Sequence, residues 1–140
     1  MPKKTENRIL TFSALLLAVH IFFGSDHALA EDDKKINQIL RLAAEKYSSN
    51  LPQKLDRYTL LTSVMAGGNR DMLYKYRIQP PKSLDLAKRI REAASRQHRN
   101  NYCTNGDLSF YRRENIAMRH QYSDPSGNVL FSVTVDVSDC

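Results

Sequence analysis

Apolar residues recur at two different periods along this chain, and the period changes mark its elements. Over 32–48, Ile36, Ile39, Leu40, Ala43, Ala44 and Tyr47 fall on one face at helical spacing. Asp32 and Asp33 lead this stretch, where a helix dipole favours negative charge, and Ser48-Ser49-Asn50 before Leu51-Pro52 ends it. Tyr58 to Met65 is rich in β-formers, and Ala66-Gly67-Gly68-Asn69 is a turn signal. From Met72 to Ile78 the period becomes two: Met72, Tyr74, Tyr76 and Ile78 share one face, and Leu73, Lys75 and Arg77 the other. Two such runs around Gly-Gly-Asn predict a β-hairpin.

Pro80-Pro81 interrupts the chain, and Ser83 can cap a second helix reaching about Asn101. Its apolar stripe is Leu86, Ala87, Ile90, Ala93 and Ala94, with Gln97 continuing the line. Residues 108–114 fit a short helical turn. Then Ile116, Met118, His120 and Tyr122 alternate with polar residues, Ser123 to Asn128 is a turn cluster, and Val129, Phe131, Val133, Val135 and Val137 alternate again. Placing both apolar sets on one face pairs Tyr122 with Val129, His120 with Phe131, Met118 with Val133 and Ile116 with Val135. The expected fold is α+β: a four-stranded antiparallel sheet of two β-hairpins, with two amphipathic helices on one face, in the order α-ββ-α-ββ.

The first thirty residues follow a different logic. Lys3, Lys4 and Arg8 precede a mostly apolar run from Ile9 to Phe23, and Ala28-Leu29-Ala30 matches an A-x-A cleavage box. That run is shorter than the roughly 20 residues a membrane span needs. Residues 1–30 are therefore expected to be a signal peptide, leaving 31–140 as a single domain with no transmembrane segment. No cysteine lies near the box, so an N-terminal lipid anchor is not expected. The expected location is the periplasm or outside the cell.

Export changes how the two cysteines read. Cys103 and Cys140 allow one intramolecular pairing, and an oxidising compartment favours it. Closing so long a loop stabilises a fold by about 4 kcal/mol in the chain-entropy description. There is no C-x-x-C and no histidine at ligand spacing from either cysteine, so redox and metal roles are disfavoured.

Hydrophobic content of 41% and charged content of 26% are ordinary for a globular domain, which argues against a mainly disordered chain. The formal net charge is +6, and it becomes +5 once Lys3, Lys4, Glu6, Arg8 and Asp26 are removed. Basic residues concentrate on the second helix. Lys88, Arg96 and Arg99 fall opposite its apolar stripe, with Arg89 and Arg91 flanking, and Glu92 softens the field. This face, extended by Arg112 and Arg113, suits an anionic partner such as a lipid headgroup, a glycolipid or an acidic protein; nucleic acid is not expected. The competing reading is an ordinary solvated helix face, which is the commoner use of long basic side chains.

Catalytic patterns are scarce. His98 and His120 belong to no H-E-x-x-H, no G-x-S-x-G is present, and Gly67-Gly68 lacks the Lys and helix of a phosphate loop. His120 shares a face with Ile116, Met118 and Tyr122, which favours a satisfied core histidine over a base or ligand. Tyr74 and Tyr76 could form a binding face, but sheet packing is the commoner role. No catalytic residue, metal or cofactor is assigned.

The order of small motifs also carries information. Leu51-Pro52, Leu55-Asp56 and Thr59 are followed by Leu73-Tyr74-Lys75-Tyr76, Cys103, His120-Gln121-Tyr122-Ser123-Asp124 with Gly127, and Asp139-Cys140. This skeleton resembles an uncharacterised family of small exported bacterial proteins built on a single paired-cysteine α+β domain. The resemblance spans about 51–140 and implies that fold, with no catalytic residue attached.

These readings point to an exported, non-enzymatic binding module that docks on an envelope component or a protein partner. The alternative is an inhibitor or immunity protein that blocks an envelope or secreted enzyme, using the Gly67-Gly68-Asn69 or Ser126-Gly127-Asn128 loop as a plug.

Overall fold

A computed structural model describes residues 31–140. The leader expected at 1–30 lies outside the described residues. A compact unit runs from Ile36 to Cys140. The first helix, α1, covers 31–48, and within the compact unit it buries Ile36, Leu40 and Ala44. That i, i+4, i+8 line is narrower than the expected stripe. Ile39 and Tyr47 lie beside it and stay exposed. Ser48 closes the helix onto the sheet by donating its hydroxyl to the Val64 carbonyl at 3.1 Å.

Five strands follow in one sheet: β1 (Gln53–Lys54), β2 (Thr59–Ala66), β3 (Asp71–Ile78), β4 (Ala117–Ser123) and β5 (Val129–Val135). Their spatial order is β1-β2-β3-β4-β5. The expectation of two hairpins holds for β2–β3 and β4–β5, which pair antiparallel. The expectation of an all-antiparallel, four-stranded sheet does not. β3 and β4 pair parallel, from Asp71 opposite Ala117 to Arg77 opposite Ser123. The reason is the connection. Helix α2 (Leu84–Thr104) is 21 residues long and carries the chain back along the sheet, so β4 starts at the end where β3 started. The fifth strand, β1, has two residues, too few to show a period.

Two bulges tune which side chains face inward. Leu61 pairs with Tyr76 and Ser63 with Lys75, leaving Thr62 as the extra residue. This lets Leu61 and Val64, three apart, both reach the core. On β5, Ser123 pairs with Val129 and Tyr122 with Phe131, leaving Leu130 extra. The expected pairing is therefore off by two positions: His120 meets Val133 and Met118 meets Val135. The turn sets this offset. Asp124 accepts from the Asn128 backbone and side-chain N–H groups, both at 2.9 Å, and closes a tight loop in which Gly127 has φ +90°. Val129 is thereby turned out of the core and stands 54% exposed. Val137 falls after β5, in a 3-10 turn from Val137 to Asp139.

One face of the sheet carries the core. Met72, Tyr74, Tyr76 and Ile78 of β3 meet Met118, His120 and Tyr122 of β4 and Val133 and Val135 of β5, under α1 and α2. On α2 the inward line is Ile90, Ala94, His98 and Tyr102; Ala93 and Gln97, expected inside, are exposed. Tyr102 is 1% exposed and donates its hydroxyl to the Ile116 carbonyl at 2.9 Å. Cys103 and Cys140 are joined, with Cα atoms 5.4 Å apart. The short helix α3 (Ser109–Arg113) supplies Tyr111 to the core.

Candidate docking surfaces

His120 is buried and His98 lies half-buried against it. Their rings stack, with centroids 3.5 Å apart and planes 10° from parallel. Tyr76 Oη and His120 Nδ1 hydrogen-bond at 2.9 Å, and Tyr122 Oη and His98 Nε2 at 2.6 Å. Tyr74 stacks on His120, and Tyr122 continues the stack to Phe131. Burial pushes the His98 pKa down to about 4. Burial, joined by the repulsion of His98, pushes His120 down to about 3. Burial also raises the Tyr122 hydroxyl to about 12. All of these groups are neutral near pH 7. The layer ties α2 to β3 and β4, and His120 is buried and hydrogen-bonded within it, as expected. Tyr74 and Tyr76 are likewise buried in it and form no outer binding face.

The basic residues of α2 are all exposed: Lys88, Arg89, Arg91, Arg96 and Arg99. Three are ion-paired. Lys88 lies 4.0 Å from Glu92, Arg89 3.2 Å from Asp85 and Arg99 3.5 Å from Asp139. The first two pairs are i, i+4 partners on the helix, a spacing visible in the sequence. Arg91 and Arg96 have no ion pair among the described residues. Arg112, expected to extend this face, instead points its Nη1 at the carbonyls of Tyr102 and Asn105, where it caps the end of α2. Arg113 pairs with Glu114 and lies over the Phe110 ring.

Among the described residues, the second face of the sheet carries no helix. It bears Thr62, Lys75, Arg77, Arg119, Gln121 and Ser123. Arg119 is held by Asp71, Nε to Oδ2 at 2.5 Å. The other carboxylate oxygen of Asp71 is buried against Gly67, where an added Cβ would fall 1.9 Å from it. A recess of about 420 Å³ opens between β2, β3, β4 and the β4–β5 turn, with Lys75 and Arg77 in its lining. A second recess of about 210 Å³ shares Arg77 and adds Lys54 and Arg57. Among the described residues, none of these four cations has a carboxylate within ion-pair distance. The acids nearby are engaged elsewhere. Asp124 closes its turn with Asn128, and Asp56 accepts the N–H groups of Tyr58 and Thr59 at 2.7 and 2.9 Å. Sequence reasoning placed Lys75 and Arg77 on the non-core face of their strand but missed this site, because the recess depends on the parallel neighbour β4.

The two loops suggested as plugs are both tied down. Asn37 of α1 donates to the Gly68 carbonyl and accepts from the Arg70 N–H. Asp124 and Asn128 close the other.

No protein-family model matches this chain, and no curated protein does. Three solved structures share its fold. A Pseudomonas aeruginosa protein described as secreted has a TM-score of 0.66 at 12% identity, over 77% of this chain and 95% of its own. EpsS, the pilotin of the Vibrio vulnificus type 2 secretion system, has 0.63 at 10% identity, over 79% and 96%. AspS, a type II secretion system pilotin of Vibrio cholerae, has 0.60 at 17% identity, over 81% and 99%.

Proposed function

We propose that this protein is an exported docking module of the bacterial envelope that binds a protein component of a secretion assembly and catalyses no reaction. The observation that carries the reading is the shared fold. Two of its three structural neighbours are type II secretion pilotins and the third is described as secreted, and each is matched over nearly its whole length. The disulfide supports an oxidising compartment. The use of both histidines as packed, tyrosine-bonded core groups supports docking over catalysis.

The test is in-cell crosslinking followed by capture with an antibody to the full chain and mass spectrometry of the envelope fraction. A reproducible crosslink to a type II secretion component is the expected result. Recovery of the chain in the cytosol with both thiols free, or in the envelope with no secretion component attached, would reject the reading.

A further inference from the structure

We infer that the sheet face bearing Lys75 and Arg77, opposite the one packed under α1 and α2, is the binding site for an acidic, extended peptide segment of the partner protein. This rests on the protein-docking reading above and deepens it. Charge complementarity in a shaped recess supports it. Lys75 and Arg77 line the larger recess, and Arg77 leads into the smaller one with Lys54 and Arg57. Four cations without ion pairs among the described residues thus line two recesses that meet at Arg77. The carboxylates beside them, Asp124 and Asp56, are engaged by backbone and side-chain N–H groups in their own turns. Asp56 and Asp124 keep their charge, and Lys54 acts on Asp56, yet the four cations outnumber these two anions and leave a net positive field that a negatively charged segment would neutralise.

The geometry favours a peptide. Lys75 and Arg77 are alternate residues of one strand, about 7 Å apart along it, which is also the repeat of alternate side chains in an extended ligand. Carboxylates at i and i+2 therefore match them in register. Beside the cations, the Gln121 amide and the Ser123 hydroxyl can serve the donors and acceptors of a peptide backbone, while the Thr62 hydroxyl, which donates to the Lys75 carbonyl, can only accept. A planar lipid surface suits this recess poorly, since Lys75 is half-buried within it. The exposed Arg91 and Arg96 of α2 are the better lipid contacts. Against a uronic-acid glycan, the ring of Tyr58 in the smaller recess is already covered by Arg57, 5.7 Å from its centroid.

The experiment is an NMR titration of the full chain at low salt. The probe is a synthetic dodecapeptide with glutamate at alternate positions. Its glutamine counterpart, an oligogalacturonate and phosphatidylglycerol vesicles are run alongside. Saturable shifts of the Lys54, Lys75, Arg77 and Gln121 amides by the acidic peptide alone are expected. Lys75→Gln with Arg77→Gln should weaken binding roughly tenfold, two solvent-accessible pairs at about 0.5–1 kcal/mol each. Arg91→Gln with Arg96→Gln should leave it unchanged. Shifts confined to α2, no saturation, or tighter binding of the glycan or vesicles through the same residues would overturn the inference. The two readings fail separately. If the Lys75/Arg77 variant still crosslinks to the secretion component, this site falls and docking stands. If the peptide binds here but no secretion component is crosslinked, docking falls and the site stands.

Discussion

Lowering the pH from 7.5 to 5 should weaken this fold by about 4 kcal/mol, through His98 and His120 alone. In the folded state the two rings are held neutral to well below pH 5, with pKa values pushed down to about 4 and about 3. In the unfolded chain each titrates near 6.5. Below 6.5 the unfolded state therefore binds protons that the folded state refuses, so stability is lost as pH falls. At pH 5 each histidine contributes about 1.4 kcal/mol times the 1.5 units below 6.5, or about 2 kcal/mol. The lowered carboxylates, Asp56, Asp124 and Asp136, lose their contribution only as pH falls through their folded values below 3.8, outside this window. The assay is urea unfolding at pH 7.5, 6 and 5, with imidazole proton shifts followed by NMR. His120→Phe loses the Tyr76 partner and is weaker throughout, but its loss between pH 7.5 and 5 should be about half that of the wild type. An unfolding free energy that is flat across this range, or imidazole resonances titrating near 6.5, would refute the reasoning. A loss of about 4 kcal/mol is large beside the roughly 5–15 kcal/mol that holds a domain together.

Other changes test other parts of the fold. Replacing Cys103 and Cys140 together by serine opens a loop with a sequence separation of 37 and should cost about 4 kcal/mol, read from the urea midpoint of the oxidised and variant proteins. Gly67→Ala drives a methyl group into the Asp71 carboxylate and should cost about 1–3 kcal/mol; an unchanged melting temperature would show that Asp71 can move aside. Tyr102→Phe leaves the buried Ile116 carbonyl without its hydroxyl donor, and a loss of about 1–2 kcal/mol is expected by the same denaturant measurement.

Alternation was enough to identify β3 and β4 and to choose their inner faces, because a side-chain period of two is a local property. It could not identify their neighbours. Whether Met72–Ile78 runs with or against Met118–Tyr122 depends on where α2 delivers the chain, and that is a property of the crossover. The β4–β5 offset was hidden for a related reason: one extra residue, Leu130, together with the Asp124–Asn128 closure, moves every pair by two while leaving the face unchanged. Among the basic residues, the Asp85–Arg89 and Lys88–Glu92 pairs could be found by counting along the helix. The Arg99–Asp139 pair could not, since it needs the chain end brought back to α2. The cationic track was the least legible feature. Its members come from β1, the turn after it and β3, and only the sheet brings them side by side.

The parallel pairing of β3 with β4 also governs the order in which the chain can become safe. A chain emerging N-terminus first completes the β2–β3 hairpin early, yet one flank of β3 stays bare until Ala117–Ser123 has followed, almost forty residues later. Throughout that interval the hydrogen-bonding groups from Asp71 to Ile78 are open to any passing strand. Self-association during synthesis or passage across a membrane should therefore begin at this flank, and a chaperone that shields it would protect the half-made protein.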